Sequence, residues 1–253
     1  MTKPTTRIVA IHGFLGRPKD WDALKTVILE LAPDVDFQTI DLFSAPSSPQ
    51  ASLQPTLKDK NIGEWAKKFN RAQKNKHLER NILLGYSLGG RLALQAAFDK
   101  PGLWDEVALV SAHPGAISDE DRKRRRLSDK DWAEKFLNLP WSEVIRLWNG
   151  QPVFLGSEEP TRAEIEFNRG SLATALVNWS LAEQEFVADK IIPLKPKLHW
   201  FAGEKDGKYV NLFHNLKVDG FIEDINIVKG ASHRVIFDSP KELARLLVQR
   251  LKL

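Results

Sequence analysis

NILLGYSLGGRLALQAAF, residues 81–98, carries an apolar run into Gly85-Tyr86-Ser87-Leu88-Gly89 and then into an alanine- and leucine-rich segment. The run reads as a strand and the segment as a helix, so a serine flanked by glycines stands at a strand-to-helix junction. Gly-x-Ser-x-Gly in that setting is the pattern of a nucleophile elbow. Only small neighbours fit beside a serine held in a strained backbone conformation, and its hydroxyl then sits at the head of a helix, whose N–H groups favour an anion. Without further partners the same residues would make only a tight turn.

Working outward, short apolar segments recur at 7–13 (RIVAIHG), 35–42 (VDFQTIDL), 106–112 (EVALVSA), 197–203 (KLHWFAG) and 225–230 (INIVKG). Near-continuous apolar strands of this kind are buried on both faces, as in a mostly parallel sheet. Helix-period segments alternate with them at 21–32, 62–73 and 240–251, which predicts an α/β fold with a central sheet flanked by helices. One interval breaks the rhythm. Between Ala112 and about Lys195 there are helical patterns, DKDWAEKFL and SEVIRLWNG, and no convincing strand. A single domain over 1–253 is expected, with a helical cap inserted over about 113–195, above the strand ends where open α/β sheets bind ligands. The Pro- and Ser-rich stretch 44–61 reads as an excursion loop near the same edge.

Composition narrows the function. The 253 residues contain no cysteine, which excludes disulfides, thiolate metal sites and cysteine nucleophiles. No secretory apolar region opens the chain and no run approaches the roughly twenty residues of a membrane span, so a cytoplasmic protein without membrane partners is expected. The net charge is +4, and much of the basic character lies in DEDRKRRRLSDK, 119–130. Its arginines are interleaved with acids rather than aromatics, which argues against a nucleic-acid groove and leaves small anionic ligands or a solvated helix face.

A serine hydroxyl needs an imidazole to take its proton, and the imidazole needs a carboxylate to fix its tautomer. Asp206 follows the segment at 197–203, and His233 follows the one at 225–230. Each could be an ordinary loop residue, yet Ser, Asp, His in this order beyond successive strand ends is the arrangement that such chemistry requires. His12-Gly13-Phe14-Leu15-Gly16 ends the first strand, and its backbone could double back so that the N–H of Phe14 joins that of Leu88 as an oxyanion hole. His12 itself reads as a structural residue of that loop.

On HGFLG, GYSLGG, GEKD and the late histidine the chain resembles the α/β-hydrolase fold family over nearly its whole length. More narrowly it resembles the 2-succinyl-6-hydroxy-2,4-cyclohexadiene-1-carboxylate synthases of menaquinone biosynthesis, on GYSLGGR, on SAHPG with the basic run ending in SDKDWAEKF, on WNGQPVF and on FNRGS. That resemblance implies a carbon–oxygen lyase, without metal or organic cofactor, that eliminates pyruvate from 2-succinyl-5-enolpyruvyl-6-hydroxy-3-cyclohexene-1-carboxylate. It implies a triad of Ser87, Asp206 and His233, substrate-binding arginines at Arg91, Arg125 and Arg169, and further pocket residues at Tyr86 and Trp148. Periodicity does not choose among the arginines of the 122–126 run, and Arg125 follows from the resemblance alone. Two positions depart from the family: Ser232-His233-Arg234 stands where Gly-His-Asn is usual, and FSAPSSP replaces a Gly-His-Gly after the second strand. Planar, permanently charged arginines suit a small substrate carrying several carboxylates. The competing reading is a carboxylesterase that uses the same triad through an acyl-enzyme.

Overall fold

The computed structural model describes residues 5–43, 61–74, 78–115, 118–184, 188–194 and 196–253. Six strands form one sheet: β1 (Thr6–Ile11), β2 (Val35–Ile40), β3 (Arg80–Tyr86), β4 (Glu106–Val110), β5 (Lys197–Gly203) and β6 (Ile225–Val228). Their order is β2-β1-β3-β4-β5-β6, and every pair is parallel. The six apolar segments of the sequence are these six strands. Strand side chains alternate between faces, so Val9, Ile11, Leu83, Leu109 and Trp200 pack into one core cluster, while Ile8, Ala10, Leu84, Ala108 and Phe201 pack into the other.

Ten helices accompany the sheet among the described residues: α1 (Asp22–Leu31), α2 (Ile62–Gln73), α3 (Leu88–Asp99), α4 (Asp119–Asn138), α5 (Trp141–Asn149), α6 (Arg169–Asn178), α7 (Ala188–Ile191), α8 (Gly207–Val218), α9 (Val235–Asp238) and α10 (Pro240–Leu251). On one face, Leu24 and Ile28 of α1 join Leu243 and Leu247 of α10. On the other face, Trp65 and Phe69 of α2, Leu92 of α3 and Phe213 of α8 cover the sheet. Helices therefore flank both sides, as buried parallel strands require.

Two features of this topology position the site. β1 lies between β2 and β3, so the chain leaves the sheet's first strand in both directions and a crevice opens beyond the ends of β1 and β3. Between β4 and β5 the described residues hold α4 to α7 and no strand, so this helical insertion stands beside that crevice. The 44–61 loop lies outside the described residues except for Asn61, whose side chain accepts the Glu64 N–H and caps α2. No helix of the described residues is long and apolar enough to cross a membrane.

Candidate active site

β3 ends at Tyr86 and α3 begins at Leu88, leaving Ser87 alone at the turn with φ 52° and ψ −111°. That conformation is uncommon for a non-glycine residue and is tolerated because the surroundings enforce it. A Cβ on Gly89 would stand 2.0 Å from the Ile11 carbonyl oxygen, and one on Gly85 would stand 2.5 Å from the Gly89 carbonyl oxygen. The two glycines are what allow α3 to turn sharply against β1 with the serine between them.

Ser87 Oγ lies 3.2 Å from His233 Nε2, and His233 Nδ1 lies 2.7 Å from Asp206 Oδ2. The histidine and the aspartate are buried. Asp206 ends the turn after β5 and caps α8, where its Oδ1 accepts the Tyr209 N–H. That bond fixes the carboxylate while the other oxygen holds the imidazole. The loop after β6 brings in His233, and the Ser232 N–H donates to Asp238 Oδ2 at 2.8 Å. A proton on Nδ1 directed at the carboxylate leaves Nε2 free to accept from the serine.

The loop after β1 closes over the elbow. A Cβ on Gly13 would lie 3.5 Å from Ser87 Cβ, and Phe14 and Leu88 line the same pocket as Ser87. Leu88 opens α3, so its N–H is among those that a helix leaves without an internal partner. His12 is a strut: Nε2 accepts the Leu42 N–H at 3.1 Å and Nδ1 lies 2.8 Å from the Gly13 carbonyl oxygen.

A cavity of about 560 Å³ opens in front of Ser87. The sheet side supplies Ser87, His233 and Asp206, and the insertion supplies Arg125, Trp148, Phe154 and Trp179. Its electrostatics are one-sided. Arg91, 8 % exposed, is held by desolvation, and then by the charge of Arg125, at a pKa of about 10. Its guanidinium reaches Gln184 Oε1 at 3.3 Å and pairs with no carboxylate among the described residues. Arg125 Nε donates to Asp129 Oδ2 at 2.7 Å, and that oxygen also accepts from Ser180 Oγ at 2.6 Å. His113 is pushed down to about 4 by burial and then by Lys208, Arg91 and Arg125, so it stays neutral. Burial, with Asp206 next, pushes the Tyr209 hydroxyl up to about 12. Among the described residues no three His, Asp or Glu side chains gather as a metal-binding group.

The structure does not bring every expected residue here. Ser87, Leu88, Phe14, Arg91, Arg125, Trp148, Asp206 and His233 share the cavity wall. Tyr86 stands behind the elbow, its ring centroid 5.9 Å from that of His233, and lines a smaller adjoining cavity with Arg162 and Arg234. Arg169 is not among the side chains that line the cavity. It opens α6, but its guanidinium donates to the Phe136 and Leu139 carbonyls at 3.0 and 2.7 Å, pairs with Glu164 and lies over the Trp141 ring, away from the cavity wall. These carbonyls end α4, where a cation is favoured, so Arg169 ties α6 to α4. Arg234, at the departure from Gly-His-Asn, donates to Asn149 Oδ1 and the Glu158 carbonyl and covers the Phe154 ring, tying the insertion to the histidine loop. Residues 44–49 of FSAPSSP lie outside the described residues.

Sequence reasoning missed Lys208, Gln184, His113 and Phe154. His113 stands within SAHPG and Phe154 within WNGQPVF, so the motifs held them without marking them. Nothing in the periodicity marks Lys208 or Gln184.

Comparison with known proteins adds family and fold. The sequence model of the alpha/beta hydrolase fold matches residues 6–140. Over 177 residues the chain is 33% identical to the 2-succinyl-6-hydroxy-2,4-cyclohexadiene-1-carboxylate synthase of Salmonella newport, covering 68% of each chain. It is 31% identical to the enzyme of that name from Escherichia coli O1:K1 over 175 residues, 67% of this chain and 68% of that one. The structure of MenH from S. aureus superposes with a TM-score of 0.85 at 20% identity, covering 99% of this chain and 95% of that one. A carboxylesterase of the thaumarchaeon Nitrososphaera gargenis superposes at 0.75 with 14% identity, covering 98% and 90%. At such identities the superpositions speak for the fold.

Proposed function

Given that the chain belongs to the α/β-hydrolase fold family, we propose that it is a carbon–oxygen lyase of menaquinone biosynthesis, eliminating pyruvate from 2-succinyl-5-enolpyruvyl-6-hydroxy-3-cyclohexene-1-carboxylate. The observation that carries this reading is the union of a Ser-His-Asp chain with surplus positive charge in one cavity. A neutral ester has no use for a buried guanidinium such as Arg91, whose desolvation is offset only when a ligand anion meets it. The substrate carries three carboxylates, and the named relatives from Salmonella and Escherichia carry the corresponding activity in their names.

In the proposed reaction, His233 accepts the Ser87 Oγ proton while the resulting alkoxide takes the proton alpha to the succinyl ketone. The C–H electron pair forms the enolate, the ring gains a double bond, and the C–O bond to the enolpyruvyl group breaks. The leaving enolate takes up a proton and becomes pyruvate. Asp206 holds the imidazole in the tautomer that accepts at Nε2 and stabilises the imidazolium. The N–H groups of Phe14 and Leu88 take the enolate oxygen. No acyl-enzyme forms, which separates this reaction from ester hydrolysis on the same fold.

The test is release of pyruvate from the cyclohexene substrate, coupled to NADH oxidation, beside hydrolysis of p-nitrophenyl esters. Pyruvate release with the higher kcat/KM supports the lyase. Ester hydrolysis with the higher kcat/KM would replace it with the carboxylesterase reading.

A further inference from the structure

A lysine stands on the pocket wall beside two arginines. We propose that Lys208 is a substrate-binding residue whose ammonium and the Arg125 guanidinium share one carboxylate of the ligand, while Arg91 takes another. The inference deepens the function proposed above and rests on it for the identity of the ligand.

Lys208 lies in the first turn of α8, two residues beyond Asp206, and lines the cavity with Arg91 and Arg125. Among the described residues its ammonium has no hydrogen bond and no ion pair, and it lies 5.8 Å from the centroid of the Tyr209 ring. Other groups register its nearness. His113 is held neutral in part by Lys208, Arg91 and Arg125 together. Lys208 is itself pushed down by desolvation and then by Arg125, against the pull of Asp206. Arg125 therefore acts on both Arg91 and Lys208 across one cavity.

Their acidic counterparts are already engaged. Asp129 is shared by Arg125 and Ser180, and Asp206 holds His233. The first turn of a helix is also the end of the macrodipole that disfavours a cation. A lysine placed there, close to an arginine and with no ion pair of its own among the described residues, is disfavoured as a cation, and a carboxylate from outside offsets that charge. The arrangement also separates two modes of binding. Arg91 offers a buried, planar fork near Ser87, and Arg125 with Lys208 offers two separate charges that can straddle one carboxylate.

The experiment is calorimetric titration of the full chain with propane-1,2,3-tricarboxylate, with Lys208→Gln, Lys208→Arg, Arg125→Gln, the double Gln variant and Lys217→Gln compared. Lys217 is an exposed residue of α8 paired with Asp224 and serves as the control. Lys208→Gln should raise Kd by about fivefold or more, and Arg125→Gln should do likewise. Lys208→Arg should return within about twofold of the unsubstituted chain, because the charge is kept. The double variant should lose less than the product of the single losses, since both residues serve one carboxylate. Equal thermal midpoints for Lys208→Gln and the unsubstituted chain separate binding from folding. An unchanged Kd for Lys208→Gln, an effect of equal size in Lys217→Gln, fully multiplicative losses, or absence of tricarboxylate binding to the unsubstituted chain would each overturn the inference. The titration involves no turnover. A Lys208-dependent titration without pyruvate release rejects the lyase and keeps this site, whereas pyruvate release with Lys208→Gln unaffected in KM rejects this site and keeps the lyase.

Discussion

Replacing Arg91 and Arg169 by Met, one at a time, should separate activity from stability, the first losing activity and gaining stability, the second losing stability and keeping activity. Arg91 is buried in the cavity wall, with its pKa brought down to about 10 chiefly by desolvation. That lowering corresponds to about 3 kcal/mol of unfavourable surroundings for the charged form. For a cation the sign is clear: the cost is fully present below the folded pKa, hence throughout neutral pH, and is lost only as pH rises from there toward the unfolded value. Met fills similar volume without charge, and the loss of the bond to Gln184 gives back about 1 kcal/mol, so Arg91→Met should gain about 1 to 2 kcal/mol of stability. For a chain of this size that is a rise of roughly 2 to 6 °C in Tm. Its kcat/KM should fall by about 30-fold to several thousandfold, the equivalent of 2 to 5 kcal/mol for one lost partner of a buried charge pair. Arg169 is the reverse case. Its two bonds to the end of α4 and its pair with Glu164 are worth about 2 to 4 kcal/mol together after discounting for partial exposure. Arg169→Met should lower Tm by roughly 5 to 12 °C and change kcat/KM below that midpoint by less than about fivefold. Calorimetric Tm and kcat/KM from pyruvate release decide the matter. An Arg169→Met protein with unchanged Tm and activity down by about a hundredfold would refute the reasoning from the contacts, and so would an Arg91→Met protein that melts earlier and works normally.

Ser87→Ala and His233→Ala should each lower kcat by about a thousandfold or more with the fold intact, because linked residues act as a unit; near-normal turnover in folded Ser87→Ala would remove the serine from the mechanism. His113 has a folded pKa of about 4 against an ordinary 6.5, so the unfolded chain binds a proton first and stability should be lost as pH falls from about 6.5 toward 4. Thermal midpoints across that window should fall less for His113→Gln, and parallel curves would contradict the assignment. Gly89→Ala should prevent the elbow from closing, since its Cβ would meet the Ile11 carbonyl oxygen at 2.0 Å; a soluble, active protein with unchanged Tm would show that β1 and α3 can part. Arg124, exposed and paired with Asp121, should tolerate Ala with less than about a threefold change in kcat/KM at fixed ionic strength. An Arg124→Ala loss as large as that of Arg125→Ala would mean that the basic run acts by steering.

The sequence by itself determined the sheet and the candidate Ser-His-Asp set, because both are written locally. Buried parallel strands need apolar runs on both faces, so Ile8 to Ile11, Ile82 to Leu84 and Val107 to Val110 could be read directly. The serine needed glycines to turn, and Asp206 and His233 had to follow strand ends, whose order the chain itself carries. The cations were a different matter. A guanidinium sits on a long, flexible stem, and its direction depends on the neighbour its helix meets. α4 shows how little the pattern offered: its buried residues are Asp129, Ala133 and Phe136, and only counting back by four from Ala133 through Asp129 reaches Arg125. Arg169 looked equivalent to Arg125 until α6 packed against α4 and the carbonyls of Phe136 and Leu139 captured it. Lys208 had no signal beyond its nearness to Asp206, yet the turn of α8 sets it on the cavity wall. Strand patterns and turn chemistry are properties of contiguous residues, whereas which charges face one cavity is a property of how separate helices dock, and only the tertiary structure decides it.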